Sequence, residues 1–188
     1  MQSDETQQRY ALRRTVVLVG MMGSGKTAIG RALSQRLDVP FLDSDHEIET
    51  AANATIAEIF ARDGEPFFRR RESEVIARLL MGSPCILSTG GGAFLAKRNR
   101  KQIKKHGVAV WLNAPLPVLW DRVRHKDSRP LLRTANPYAT LSEIYDARKP
   151  IYAKAKLHLA VGHRATIDDT TSSVMSLLLT RPDVLETL

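Results

Sequence analysis

Eight residues near the start of the chain, Gly20-Met21-Met22-Gly23-Ser24-Gly25-Lys26-Thr27, carry the spacing G-x-x-x-x-G-K-T. Glycines at those places let the backbone fold so that successive N–H groups point inward at phosphate oxygens, and the N-terminus of a following helix adds positive field. In such a loop Met22, Gly23, Ser24 and Gly25 form the cradle, Lys26 reaches the β- and γ-phosphates of a nucleoside triphosphate, and the Thr27 hydroxyl ligates Mg²⁺. A glycine turn that only joined a strand to a helix would not need the Lys-Thr pair. The loop therefore specifies the phosphate donor. It leaves the acceptor open, since water, a nucleotide, a sugar or a protein side chain could each receive the group.

Three further clusters bear on the acceptor. Asp43-Ser44-Asp45 closes a short apolar run, Phe41-Leu42. One carboxylate there could hold Mg²⁺ and the other could orient an acceptor hydroxyl, or the pair could be a helix cap with a solvated neighbour. Phe67-Phe68-Arg69-Arg70-Arg71-Glu72 places three guanidinium groups beside two aromatics. Arg grips a carboxylate through two parallel hydrogen bonds, and on a helix only one of the three would face a site; a solvated basic face is the alternative. Ser88-Thr89-Gly90-Gly91-Gly92 follows an apolar run. Its glycines either admit a ligand ring close to the backbone or form a flexible turn.

These clusters need a scaffold, and the hydrophobic pattern supplies one. Thr15-Val16-Val17-Leu18-Val19 has the length and composition of a strand buried on both faces of a parallel sheet, and Ile29, Leu33 and Leu37 recur at helical spacing after Lys26. The alternation continues with strands at Phe41-Leu42, Cys85 to Ser88, Val108 to Leu112 and Leu157 to Val161. Helices are expected over 45–80, 97–106, 118–124, 141–152 and through Met175 to Leu179. Thr55-Ile56-Ala57-Glu58 has capping-box spacing, and Pro117 suits the first turn of a helix. The expectation is an α/β fold of the P-loop class, with a five-stranded parallel sheet flanked by helices. We expect a flexible extension over 1–13, one domain over 14–180 and a C-terminal tail over 181–188. The basic, weakly periodic stretch 125–138 reads as a mobile lid over phosphate.

A chain of 188 residues with 43% hydrophobic content builds one domain without a disulfide or a structural metal. Its one cysteine, Cys85, has no disulfide partner, which fits a reducing compartment and a cytoplasmic location. No run approaches the roughly 20 apolar residues that span a bilayer, so no membrane partner is expected. The net charge of +8 attracts anions without choosing among them.

Taken in order, the loop at 20–27, Asp43-Ser44-Asp45, the stretch from Asp63-Gly64-Glu65 to Phe68-Arg69-Arg70, Gly90-Gly91-Gly92, Arg129-Pro130-Leu131-Leu132, and Arg148 with Pro150 and Tyr152 resemble the shikimate kinase family from about Val16 to Met175. The resemblance implies a fold like that of the nucleoside monophosphate kinases. It also implies ATP-dependent phosphorylation of the 3-hydroxyl of shikimate, a step toward chorismate and the aromatic amino acids, with Mg²⁺ as cofactor. By the same resemblance Asp45 would bind the shikimate hydroxyls as base or orienting group, and Asp43 would sit near Mg²⁺. Arg69 and Arg148 would hold the carboxylate, the glycine triplet would lie against the ring, and Arg129 would come from the lid to the phosphates. Arg124 would stack on adenine, with Arg122 as the neighbouring alternative, and Arg164 would lie near the base.

Two rivals stand beside this reading. One is another small-molecule kinase of similar architecture, such as a gluconate kinase. The other is a nucleic-acid-binding ATPase, suggested by Lys97-Arg98, Arg100-Lys101 and Lys104-Lys105, although six such charges more simply form the solvated face of a helix. No nucleic-acid partner is therefore expected. The charged surface helices offer no apolar seam, and a monomer is expected.

Overall fold

The computed structural model describes residues 9–126 and 130–188. In chain order it contains strand β1 (Tyr10–Leu12), strand β2 (Thr15–Val19), helix α1 (Lys26–Leu37), strand β3 (Phe41–Asp43), helix α2 (Ser44–Ala52), helix α3 (Ile56–Asp63), helix α4 (Glu65–Leu80) and strand β4 (Ile86–Ser88). There follow helix α5 (Lys97–His106), strand β5 (Gly107–Asn113), helix α6 (Leu116–Val123), helix α7 (Pro137–Tyr152), strand β6 (Leu157–Ala160), helix α8 (Ile167–Leu179) and strand β7 (Leu185–Thr187). Short 3₁₀ turns lie at Ala93–Leu95 and Pro130–Leu132.

Five strands form one parallel sheet in the order β3-β4-β2-β5-β6. All five residues of β2 are buried, as their unbroken apolar run requires of a central strand covered on both faces. Helix α1 turns Ile29, Gly30, Leu33 and Leu37 inward. Leu33 is fully buried, and its truncation to Ala would cost about 2–5 kcal/mol through lost contacts and the cavity left behind. Gly30 is needed for close packing, because a Cβ there would stand 2.5 Å from Phe41 Cε2.

The register of the sheet does the functional positioning. Leu18 pairs with Ser88, and Ser88 pairs with Asp43. The three chain segments that leave these residues, 20–27, 44–45 and 89–92, therefore emerge together at the C-terminal edge, where ligands of open α/β sheets gather. Thr89 Oγ1 donates to the Leu18 carbonyl at 3.0 Å and ties two of the three together.

Helices α2, α3 and α4 make a small second core of Ile48, Ile59 and Phe68 beside the sheet. The capping box at Thr55 and Glu58 is formed in both directions and starts α3. Pro117 lies in the first turn of α6.

Two expectations need correction. Part of the stretch 1–13 is a strand: Tyr10–Leu12 pairs antiparallel with Leu185–Thr187, so the segment 181–188 is likewise no free tail. Arg13 and Glu186 close this ribbon with an ion pair at 2.7 Å. The stretch 125–138 is not all loop either, because Pro130–Leu132 forms a 3₁₀ turn and α7 begins at Pro137, capped by Asn136.

Candidate active site

The phosphate loop joins β2 to α1 with backbone geometry that only glycine adopts easily. Gly23 has φ 80° and Gly25 has φ 96°; a Cβ on Gly23 would also stand 2.8 Å from Val123 Cγ1. Lys26 Nζ donates to the carbonyls of Gly20 and Met21, both at 2.9 Å, which holds the ammonium over the loop. The Ser24 hydroxyl is buried and has no hydrogen-bond partner among the described residues. A cavity of about 530 Å³ opens here, lined by residues 22–27, Asp43, Asp45, Gly90, Gly91 and Arg122.

Asp43 caps α2: its Oδ1 accepts the backbone N–H of Asp45 at 3.0 Å and of His46 at 3.3 Å. The cap is real, and the same carboxyl lines the cavity together with Thr27. The cap and the cavity lining do not exclude one another. Asp45 is pushed up from 3.8 to about 6, first by burial and then by the neighbouring charges of Asp43 and Glu72, while Lys26 works in the opposite direction.

A second cavity of about 240 Å³ lies beside the first, between the small α2–α4 core and the glycine triplet. Arg69, Arg148, Glu72 and Asp45 supply its charge, and Phe60, Phe68 and Leu131 lie in its apolar wall. Of the three consecutive arginines only Arg69 lines it. Arg71 pairs with Glu74 at 2.6 Å, and Arg70 and Arg71 both stand over the Phe67 ring. Met22, Asp45, Gly90 and Gly91 line both cavities and so stand between them.

Each glycine of the triplet faces a different charged side chain. A Cβ on Gly90 would meet Asp45 Oδ1 at 2.8 Å, one on Gly91 would meet Arg148 Nη1 at 3.1 Å, and one on Gly92 would meet Arg69 Nη2 at 2.5 Å. The triplet is thus a flat floor whose lack of side chains leaves room for one carboxylate and two guanidinium groups.

Sequence reasoning assigned no role to Glu72. The structure shows its carboxylate 1% exposed, with Arg69 Nη1 donating to both oxygens at 2.9 and 2.8 Å. Burial raises the Glu72 pKa and Arg69 opposes this. The i, i+3 spacing of Arg69 and Glu72 on a helix was the available signal.

Of the two arginines offered for adenine, Arg122 and not Arg124 lines the larger cavity, and Arg122 Nη1 donates to the Gly23 carbonyl at 3.0 Å. Arg124 pairs with Asp121 at 3.6 Å, away from the cavity lining. Arg164 is exposed in the turn after β6 and does not line the cavity, while its neighbours Ala165, Thr166 and Ile167 do. Ile167 is 54% exposed there, an apolar surface at the mouth. Arg129 lies outside the described residues. No group of three or more His, Cys, Asp or Glu side chains that could hold a metal occurs among the described residues.

A parallel sheet with a phosphate loop at its C-terminal edge, beside a second cavity where Arg69 and Arg148 stand with Asp45 and Glu72, defines a P-loop phosphotransferase acting on a small acceptor. The family model for shikimate kinase matches residues 22–179. The shikimate kinase of Ruegeria pomeroyi is 65% identical over 176 residues, covering 94% of this chain and 90% of that protein. Among solved structures, the shikimate kinase from Acinetobacter baumannii in complex with shikimate superposes with a TM-score of 0.84 at 37% identity, over 89% of this chain and 93% of that one. A gluconokinase from Sinorhizobium meliloti 1021 shares the fold alone, with a TM-score of 0.57 at 16% identity over 88% of this chain and 91% of that one. The chain belongs to the shikimate kinase family.

Proposed function

We propose that the protein transfers the γ-phosphoryl group of ATP to the 3-hydroxyl of shikimate, giving ADP and shikimate 3-phosphate for aromatic amino acid synthesis. The observation that carries this reading is the position of Asp45 in the wall shared by the phosphate-loop cavity and the arginine-lined cavity. A hydroxyl held by Asp45 would face the γ-phosphate, and a carboxylate on the same small ring would extend toward Arg69 and Arg148.

ATP lays its phosphates in the loop of residues 22–27, under Lys26, with the base toward Arg122 and Ile167. The loop fits phosphate: its buried Ser24 hydroxyl has no partner among the described residues, and α1 begins directly after the loop at Lys26. Thr27 and Asp43 fit Mg²⁺, which takes one or two protein oxygens and completes its shell with phosphate and water. Mg²⁺ would supply charge neutralisation of the phosphates. Arg129 is assigned to the phosphates as well.

Shikimate lies on the floor of Gly90, Gly91 and Gly92 with its carboxylate bound by Arg69 and Arg148. Asp45 accepts a hydrogen bond from the 3-hydroxyl and aims that oxygen along the line to the γ-phosphorus. As the new P–O bond forms, the bond between the γ-phosphorus and the bridging oxygen breaks and ADP leaves. The hydroxyl proton passes to Asp45 or to water. Positioning and electrostatic stabilisation, rather than a covalent enzyme intermediate, carry the rate. The reading places the enzyme in the cytoplasm as a monomer; no helix among the described residues is long and apolar enough to cross a membrane.

An acceptor panel followed by phosphorus NMR tests the assignment. Shikimate should yield a new phosphomonoester signal, and gluconate and nucleoside monophosphates should not. A phosphoester from gluconate but not from shikimate would overturn it in favour of the sugar-acid kinase reading.

A further inference from the structure

Tyr152 is fully buried at the end of α7, and no step of the phosphoryl transfer uses it. Its hydroxyl nevertheless reaches the acceptor floor and donates to the Gly91 carbonyl at 2.6 Å. Arg148 lies one turn earlier on the same helix, on the same face. A Cβ on Gly91 would stand 3.1 Å from Arg148 Nη1 and 3.6 Å from Tyr152 Oη, so the guanidinium and the phenol both approach the Gly91 α-carbon.

The chemistry of a phenol suits this place. It has one proton and two lone pairs. With the proton committed to Gly91, the oxygen is left as an acceptor toward Arg148; burial pushes the phenol's pKa up, and the charge and hydrogen bond of Arg148 oppose this. The ring itself is fixed from below by Trp111 of β5, with centroids 6.3 Å apart. The location of the hydroxyl is therefore set by the sheet and the core, not by the ligand.

We propose that Tyr152 is a positioning residue for the acceptor, its hydroxyl locking the Gly91 peptide and the Arg148 guanidinium into one arrangement that the acceptor carboxylate then meets ready-made. It acts through Arg148 and Gly91 and touches no phosphate. The proposal rests on the reading of Arg148 as half of the carboxylate clamp. A preset clamp saves the ordering of a long, flexible side chain on binding, so Tyr152 contributes to acceptor binding more than to the chemical step.

The test is Tyr152→Phe, which keeps the ring and removes only the hydroxyl, studied with Arg148→Ala and the double variant. The expected result is a rise of roughly tenfold in KM for shikimate, with kcat within about twofold and KM for ATP unchanged. The rise should vanish with a shikimate analogue that lacks the carboxylate. In the Arg148→Ala background the second change should raise KM no further, as coupling through a shared partner requires. A Tyr152→Phe enzyme with normal KM for shikimate, beside an Arg148→Ala enzyme with a raised one, overturns this inference alone; a normal KM in Arg148→Ala overturns the clamp beneath it. Equal losses in kcat and in both KM values that follow a lowered Tm would show a structural role only. Should the Phe variant fail to fold, the parent chain labelled with 3-fluorotyrosine serves instead. The fluorine signal of Tyr152, assigned from variants of the other three tyrosines, should move on adding shikimate and stay in place with the analogue; equal movement with both would overturn the proposal.

Discussion

The α-carbon of Gly90 faces the carboxylate of Asp45 so closely that a methyl group there would stand 2.8 Å from Oδ1 and 3.0 Å from Oδ2. The absence of a side chain at 90 is thus a condition for the presence of one at 45. Gly90 does not have a positive φ, so Ala fits its backbone and would disturb the site rather than the turn. Gly90→Ala should fold normally and lose at least about tenfold in kcat/KM for shikimate, the equivalent of about 1.4 kcal/mol. Full acceptor kinetics in this variant would show that Asp45 has room to move.

Asp45 should also limit stability. Its folded-state pKa of about 6 lies above its ordinary 3.8, so the native state binds the proton more tightly than the unfolded chain. That contribution is fully present below about pH 4 and is lost as pH rises through 6, a penalty on the order of 3 kcal/mol at neutral pH. Asp45→Asn should therefore raise Tm at pH 8, lose the advantage at pH 4, and abolish most turnover while leaving ATP affinity close to that of the parent. In the parent enzyme kcat/KM for shikimate should fall as pH drops below about 6. Denaturation curves of the two proteins at both pH values check the first claim.

Glu72 is buried and holds both oxygens against one nitrogen of Arg69. Glu72→Ala would remove the buried partner of the guanidinium and leave it only the longer, exposed contact with Glu65 at 3.4 Å, at a cost of about 2–5 kcal/mol, and would loosen its hold on one orientation. Urea unfolding should show the loss, and KM for shikimate should rise with it. Glu72→Gln keeps the shape and one acceptor oxygen and should fall between the two.

Arg122 and Arg124 separate cleanly. Arg122→Ala removes a side chain that lines the phosphate-loop cavity and should raise KM for ATP by about tenfold. Arg124→Ala breaks only an exposed pair with Asp121, of the kind worth about 0–1 kcal/mol, and should leave ATP kinetics within about twofold. The opposite ranking would restore Arg124 to the adenine site.

Most of the scaffold was legible because its signals are local. The apolar run at Thr15–Val19, the helical spacing of Ile29, Leu33 and Leu37, and the basic helix Lys97–His106 each announce themselves within a dozen residues. The terminal ribbon does not. Tyr10–Leu12 and Leu185–Thr187 are three residues each, lack alternation and pair across nearly the whole chain. Arg122 and Arg124 differ by two helical positions, about 200° around the axis, a distinction that depends on where the end of α6 points. Tyr152 stood in the sequence as part of the pattern with Arg148 and Pro150, but its hydroxyl bond to Gly91 joins residues far apart in the chain.

The most direct test of the whole account is ADP formation from ATP and Mg²⁺ with and without shikimate, with the Lys26→Ala variant as control for contaminating kinase. The account predicts strong turnover that requires shikimate and disappears in the variant. Folded, ATP-binding protein whose turnover is indifferent to shikimate would contradict it.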